Sequence, residues 1–300
     1  MISHVLTLTR GEWYKLRRRR MPWILLGIIA AITQGAFWMG YVSYHLGADS
    51  VAAAGTGAAA LESGEGLSVS VGLDAGGAGA GGFTLPFSLN RTTGQLPMIF
   101  VIPIMILAAT VIGVEYGLGT LRATLTRGAG RWQLLSAKFV MLMVAVSAGI
   151  LVITALVGIA SIVAGILPPA GEGPLVAGSA AAWKAVATAL GKAVYALAPY
   201  VALAVFVTVA TGSNAQGMAL SMGYFLFELL IAPALAGMAG RLGNVLDVTL
   251  LGSNVSAWMS AAFPTDSARA FFVMLAYTAV LLGGALWIFQ RRDVPGAKGE

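Results

Sequence analysis

Residues 139–167 read FVMLMVAVSAGILVITALVGIASIVAGIL, a run without a single charged side chain. A helix of about 20 apolar residues crosses the hydrocarbon core of a bilayer, which is about 30 Å thick. Two prolines follow the run at once, and proline ends a helix because it lacks the backbone N–H and clashes with the preceding turn. The stretch therefore predicts a transmembrane helix that is long enough to be tilted.

The composition of the whole chain agrees with this local pattern. Of the 300 residues, 58% are hydrophobic and only 10% are charged, and the mean hydropathy is +0.85. These values exclude an ordinary soluble domain. The chain has no cysteine and only two histidines, so we expect neither a thiolate or histidine-rich metal centre nor a cysteine nucleophile. No Ser/His/Asp set is visible either, and we expect no catalytic residue.

Apolar runs separated by polar or glycine-rich stretches divide the chain into spans and loops. We predict a single all-α membrane domain over 1–300, with six transmembrane helices at 22–44, 97–114, 139–167, 183–211, 215–239 and 270–289. The first apolar run is too long for a cleaved signal, so we expect it to remain in the protein behind an amphipathic helix at 1–20. The remaining segments are two loops at 46–96 and 241–269, a polar segment at 115–138, and a tail at 290–300.

The basic residues predict the orientation, since cytoplasmic flanks of membrane helices collect Lys and Arg. With six spans and both termini in the cytoplasm, all but five of the 18 basic residues lie on the inner side. The five exceptions are Arg91, Lys184, Lys192, Arg241 and Arg269. We therefore attribute the net charge of +6 to the cytoplasmic face of a multi-pass protein of the cell membrane (inner or plasma membrane). The basic residues on that face would contact membrane lipid, and we expect no nucleic-acid partner.

The polar segment between the second and third spans reads EYGLGTLRATLTRGAGRWQLLSAK over residues 115–138. It combines an acidic residue at the end of a span, a Gly-Thr-Leu-Arg turn, a leucine-rich stretch, a Gly-Arg step and a Leu-Leu-x-x-Lys entry into the next span. In this order and spacing it resembles the permease subunits of ABC-2 type ATP-binding cassette transporters. The matching residues are Glu115, Gly119, Thr120, Leu121, Arg122, Arg127, Gly128, Arg131, Leu134, Leu135 and Lys138.

The resemblance implies a fold and a set of partners. Such permeases, similar to type V exporters, have an elbow helix before the first span, six spans, and a broken helical hairpin outside between spans five and six. Segments 1–20 and 241–269 suit these two features, whereas the loop 46–96 is long for the simplest members. The implied unit is two permeases, identical or related, with two ATP-binding subunits. Those subunits would bind ATP and Mg²⁺, and this chain would hold no cofactor.

The resemblance also makes segment 115–138 a cytoplasmic coupling helix that docks on the ATP-binding subunit. Its docking residues would be Glu115, Gly119, Thr120, Leu121, Arg122, Arg127, Arg131 and Lys138. A helix joined to two spans is a rigid lever, and its charged side chains can make charge-assisted hydrogen bonds that fix a docking register. Spacing alone favours an ordinary amphipathic loop at the membrane surface, and it is the family resemblance that favours the coupling helix.

Glu228 is the one acidic residue well inside a predicted span, and such residues normally face protein or water. Three roles are open for it: a hydrogen bond to Tyr224, Ser221 or a hydroxyl on a neighbouring span, a place on the substrate path, or proton coupling. The last role belongs to a different class of protein, an ion-coupled secondary carrier. That carrier, or a membrane scaffold without transport activity, is the alternative to the permease.

Overall fold

The computed structural model describes residues 2–45, 83–117, 130–166, 179–231, 245, 248–260 and 264–291. All regular elements in these ranges are helices. In chain order they are α1 (Ile2–Arg18), α2 (Arg20–His45), α3 (Phe87–Gly117), α4 (Arg131–Ile166), α5 (Ala180–Thr211), α6 (Asn214–Leu226), a π-helical turn (Phe227–Ile231), α7 (Leu251–Ser260) and α8 (Pro264–Arg291).

Five of these helices are long and apolar enough to cross a bilayer: α2, α3, α4, α5 and α8. This confirms the predicted class, an all-α protein with several membrane helices. The predicted span 215–239 is described only as far as Ile231, so the count of six spans stays a prediction. The loop residues 46–82, most of the hairpin residues before 248, and the tail beyond 291 lie outside the described ranges.

Several helices extend beyond the apolar stretches that predicted them. Helix α3 begins at Phe87, inside the predicted loop 46–96, and α8 begins at Pro264, inside the predicted hairpin 241–269. Helix α4 begins at Arg131, so its first two turns belong to the predicted segment 115–138. Hydropathy marks where the bilayer ends, whereas a helix satisfies its own backbone hydrogen bonds and can continue into the polar region.

Helix α1 is amphipathic and almost continuous with α2. Glu12 and Leu16, four residues apart, are buried on one face, while the opposite face is polar and exposed. Its last turn contains three basic residues, whose positive charges interact favourably with the partial negative charge at the C-terminal end of the helix. Arg19 alone separates the two helices, and the indole Nε1 of Trp23 donates a hydrogen bond to the carbonyl oxygen of Arg17 at 3.0 Å across this joint.

The chain divides into two compact units. One unit comprises Gly27–Leu96 and Gly149–Ala193. Its core contains Leu85, Leu89, Val157 and Val186, with Phe37 and Leu190 packed against them. Two polar contacts join its helices: the Ser161 hydroxyl donates to Ser88 Oγ at 2.7 Å, and the Tyr41 hydroxyl donates to the Ala164 carbonyl at 3.2 Å.

The other unit comprises Met1–Leu26, Pro97–Ala148 and Val194–Glu300, and it contains all the predicted site residues. In it, α5 and α6 form a helical hairpin around Gly212, whose φ of 66° lies in the left-handed region that glycine adopts without a steric penalty. Helix α3 approaches this hairpin closely at Gly113. A Cβ atom there would lie 2.5 Å from the Cα atom of Asn214, so only glycine fits.

We expect Gly113→Ala to lower the unfolding temperature of the purified protein. The added methyl would force α3 away from the backbone of Asn214, and overpacking of this kind costs about 1–3 kcal/mol. Gly94→Ala is the matched control, since Gly94 lies in the same helix and a Cβ there would meet nothing within 4 Å. A Gly113→Ala protein as stable as the control would contradict the close approach.

Candidate functional site

The ammonium group of Lys138 lies between two carboxylates in the interior of the protein. Its Nζ donates to Glu115 Oε1 at 2.7 Å and to Glu12 Oε2 at 2.9 Å. The other oxygen of Glu12 accepts a hydrogen bond from Lys15 Nζ at 2.7 Å. Only 2% of the Lys138 side chain is exposed, whereas the Lys15 side chain is 54% exposed. We call Glu12, Lys15, Glu115 and Lys138 the Lys138 cluster.

Three helices supply this cluster. Glu12 lies on the buried face of α1, Glu115 is in the last turn of α3, and Lys138 is in the second turn of α4. Residues 118–130 connect α3 to α4. The Glu115–Lys138 ion pair therefore joins the two helices on either side of this connection, near the end of α3 and two turns into α4.

The charges of the Lys138 cluster balance, with two carboxylates and two ammonium groups. An isolated charge in an apolar interior is very unfavourable, and pairing with hydrogen bonds is what permits it. Burial by itself raises the pKa of Glu12, but the charge and hydrogen bond of Lys138, with a smaller contribution from Lys15, lower that pKa below its ordinary value of 4.5. Glu12 therefore stabilises the fold in its ionised form, and that contribution is lost as the pH falls through the lowered pKa.

Arg131, at the start of α4, makes a different contact. Its Nη1 atom donates to the carbonyl oxygens of Phe289 at 3.0 Å and Gln290 at 2.8 Å. These carbonyls belong to the last turn of α8, where the helix leaves its final C=O groups without intrahelical partners. Tyr116, next to Glu115, packs edge-on against the Phe289 ring. The start of α4 and the end of α3 are thus both joined to the end of α8.

Of the predicted docking residues, the structure describes three. Glu115 and Lys138 are brought together, and Arg131 lies two turns before Lys138 but bonds to α8. Gly119, Thr120, Leu121, Arg122 and Arg127 lie outside the described residues. The docking role of all eight stays a prediction.

Sequence reasoning missed Glu12. It contacts Lys138 across 126 positions of sequence, a distance that no local pattern reveals. One signal was nevertheless present: Glu12 is the single acidic residue among the first 20, in a stretch otherwise rich in Lys and Arg. A single acidic side chain in a basic segment at the membrane surface is expected to form an ion pair with a Lys or Arg.

Glu228 is also buried, and its carboxylate accepts hydrogen bonds from uncharged groups. Oε2 accepts from the Tyr200 hydroxyl at 3.0 Å, and Oε1 accepts from the Tyr224 hydroxyl at 2.8 Å and from the backbone N–H of Gly252 at 3.1 Å. Tyr224 was among the partners considered from sequence, whereas the Ser221 hydroxyl bonds to the carbonyl of Gly217. Tyr200 and Gly252 were not foreseen.

The local helix geometry explains how Glu228 reaches these partners. It lies in the π-helical turn Phe227–Ile231, a wider turn than an α-helix makes. Pro233 follows in the sequence, and a proline can neither donate to the carbonyl four residues before it nor fit against it in an α-helix. Pro233 therefore disfavours regular α-helical hydrogen bonding in the turn that contains Glu228.

With the fold and these contacts established, comparison with known proteins identifies the family. The sequence profile of the family described as ABC-2 family transporter protein matches residues 6–294. The chain belongs to the ABC-2 transporter family. The match includes nearly all of the described helices, so the resemblance that residues 115–138 indicate is confirmed at the level of the family. A search of curated proteins gives no match to this chain.

Membership makes the chain a membrane component of a transporter. Glu12, Glu115 and Lys138 all fall within the matched region, as does Glu228. The two sites differ in chemistry: the Lys138 cluster is an ion network that ties three helices, and the Glu228 site is a carboxylate held by neutral donors.

Removal of the central cation should destabilise the ABC-2 protein far more than removal of the peripheral one. Lys138→Ala removes the buried ammonium from Glu115 and leaves Glu12 with Lys15, and breaking a buried ion pair in this way typically costs about 3–5 kcal/mol. Lys15→Ala breaks a solvent-exposed pair, which is worth about 0–1 kcal/mol. Thermal unfolding of both variants in one detergent measures the difference, and equal unfolding temperatures would show that the cluster is not buried.

We expect Glu228→Gln to be nearly as stable as the native protein and Glu228→Leu to be much less stable. The Gln carbonyl can still accept from Tyr224 and Gly252, and the Tyr200 hydroxyl can accept from the new amide. Leucine leaves the three donors unpaired, at about 1–3 kcal/mol for each buried group. Unfolding temperatures check the order, and a Gln variant as unstable as the Leu variant would indicate that the negative charge itself is required.

Proposed function

We propose that this chain is the permease subunit of an ABC-2 type exporter. Two permease copies would form the substrate pathway in the cell membrane, and two copies of a separate ATP-binding subunit would drive it. The observation that carries the proposal is the family match over residues 6–294 together with five helices able to cross a bilayer. With the remainder of span 215–239, each permease would supply six spans to a pathway of twelve.

The sequence supports a separate motor subunit for a permease of this kind. No Gly-x-x-x-x-Gly-Lys-Ser/Thr motif occurs, and the glycine-rich stretch 76–82 has no lysine for phosphate contact. This chain does not provide a phosphate-binding loop of that kind, so ATP and Mg²⁺ would bind to the partner. The permease would contribute helices and docking residues but no catalytic group.

Coupling would pass through the segment between α3 and α4. Glu115 and Lys138 are buried against each other and against Glu12, so beside their proposed docking role they would hold the ends of this segment in place. The rest of the docking surface would come from the residues between them in sequence, Gly119, Thr120, Leu121, Arg122 and Arg127. Arg131 would support the same segment from its contact with α8.

The rival function is an ion-coupled carrier that uses Glu228. Proton-driven carriers commonly contain intramembrane groups that exchange protons with one another. The described neighbours that donate to Glu228 are two tyrosine hydroxyls and one backbone N–H, an arrangement that supports a structural role. Transport that depends on a proton gradient, and is lost in Glu228→Gln with normal assembly, would favour the carrier.

The double variant Arg122→Ala with Arg127→Ala should remain in the membrane but capture much less of the ATP-binding subunit. Loss of one interfacial charge partner typically costs about 2–5 kcal/mol when the other charge stays buried. The measurement is the amount of ATP-binding subunit that copurifies with tagged permease. The partner to test is a soluble protein with a phosphate-binding loop, which we expect to be encoded beside the permease gene.

The matched control removes two cations from the predicted outer face, Arg91→Ala with Lys184→Ala. It changes the net charge by the same amount and should copurify the same quantity of ATPase as the native chain. Equal capture by both double variants would refute docking through Arg122 and Arg127. A native chain that captures no ATP-binding protein would refute the permease itself.

A further inference from the structure

A buried polar contact between Glu12 and Lys138 ties helix α1 to α4 and, through Lys138, to α3. Among its side chains from residue 8 onward, Glu12 and Leu16 are the two that are fully buried. They line a groove whose other walls include Val111, Glu115 and Met141. Leu16 supplies apolar contact, whereas Glu12 bonds to Lys138, the same ammonium that holds Glu115.

The contact has consequences for both ends of the segment 118–130. Glu115 stands two residues before the end of α3, and Lys138 stands seven residues after the start of α4. The two helix ends cannot move apart, or move away from α1, without breaking a buried charge pair. A buried ion pair is well suited to fix such a register, because a displaced partner leaves an uncompensated charge.

The contact also has consequences for α2. Only Arg19 lies between α1 and α2, and the Trp23 to Arg17 hydrogen bond bridges this joint. A displacement of α1 is therefore carried to the first turns of α2. The path from the segment 118–130 to the start of α2 runs through Lys138, Glu12 and the Arg19 joint.

We propose that Glu12 is a positioning residue, which couples movement of the cytoplasmic segment between α3 and α4 to α1 and the start of α2. This proposal rests on the proposed permease function, in which the ATP-binding subunit moves the segment. Glu12 does not touch that subunit or the substrate. It acts through Lys138, and its removal should loosen the arrangement of helix ends while the helices themselves remain.

Distance measurements between α1 and α4 test the positioning directly. The chain has no native cysteine, so spin labels can be attached at Arg10→Cys and Trp132→Cys, two exposed positions on these helices. In lipid nanodiscs the otherwise native chain should give one narrow distance distribution. Adding Glu12→Gln, which removes the charge but keeps the shape, should broaden or shift it. Lys15→Gln is the control and should change nothing, because Lys15 touches Glu12 from the exposed side.

A conservative variant separates positioning from simple loss of folding. Glu12→Asp keeps the charge but is shorter by one methylene, so it should give a distribution between those of the native chain and Glu12→Gln. If Glu12→Gln is not inserted into the membrane, Glu12→Asp decides the outcome. A distribution identical to that of the native chain, in whichever of the two variants is inserted, overturns the proposal.

The functional readout is substrate transported per ATP hydrolysed by the reconstituted permease and ATP-binding subunit. Glu12→Gln should capture the subunit normally but lower this ratio by at least about fivefold, the lower end of typical coupling between sites. A broadened distance with an unchanged ratio overturns the coupling role. Failure of the native chain to capture any ATP-binding subunit refutes the proposed function instead, and the distance measurement still decides whether Glu12 holds the helix ends.

Discussion

The buried ammonium of Lys138 is the constraint on which the arrangement of α1, the end of α3 and the start of α4 depends. At 2% exposure it needs both carboxylates, so α1, α3 and α4 must meet where Glu12 and Glu115 can reach it. Arg131 lies seven residues earlier, which places it on the same side of α4. Its bonds to the last carbonyls of α8 bring a fourth helix to the same place. Two cations on one helix face thus organise four helices.

The buried carboxyl group of Glu228 is held in a different way. Its partners among the described residues are neutral, and they come from α5, α6 and α7, with Gly252 offering a backbone N–H. A buried carboxyl group that accepts several hydrogen bonds is compatible with its surroundings. The Glu228 site therefore depends on backbone and hydroxyl donors, whereas the Lys138 cluster depends on paired charges.

Hydropathy was sufficient to predict five helices and the membrane class, because the length of an apolar run is a direct consequence of bilayer thickness. It placed Glu115 at the end of one span and Lys138 at the start of the next, where they do meet. It could not find Glu12 or Tyr200, since contacts between helices far apart in sequence depend on how the helices rotate and pack. Nor could it place the helix starts at Phe87, Arg131 and Pro264, where helical hydrogen bonding continues past the apolar residues.

The need for such polar contacts follows from the character of α4 itself. From Phe139 to Ile166 this helix carries no charged side chain, and packing of apolar side chains against lipid or other helices defines the rotation of such a stretch only weakly. Lys138 stands at the boundary of that apolar region and must face two carboxylates on two different helices. Satisfying both fixes the rotation of α4 about its axis and its height relative to α1 and α3. The ion cluster therefore supplies a register that apolar packing cannot, between α1 and the two helices that residues 118–130 connect.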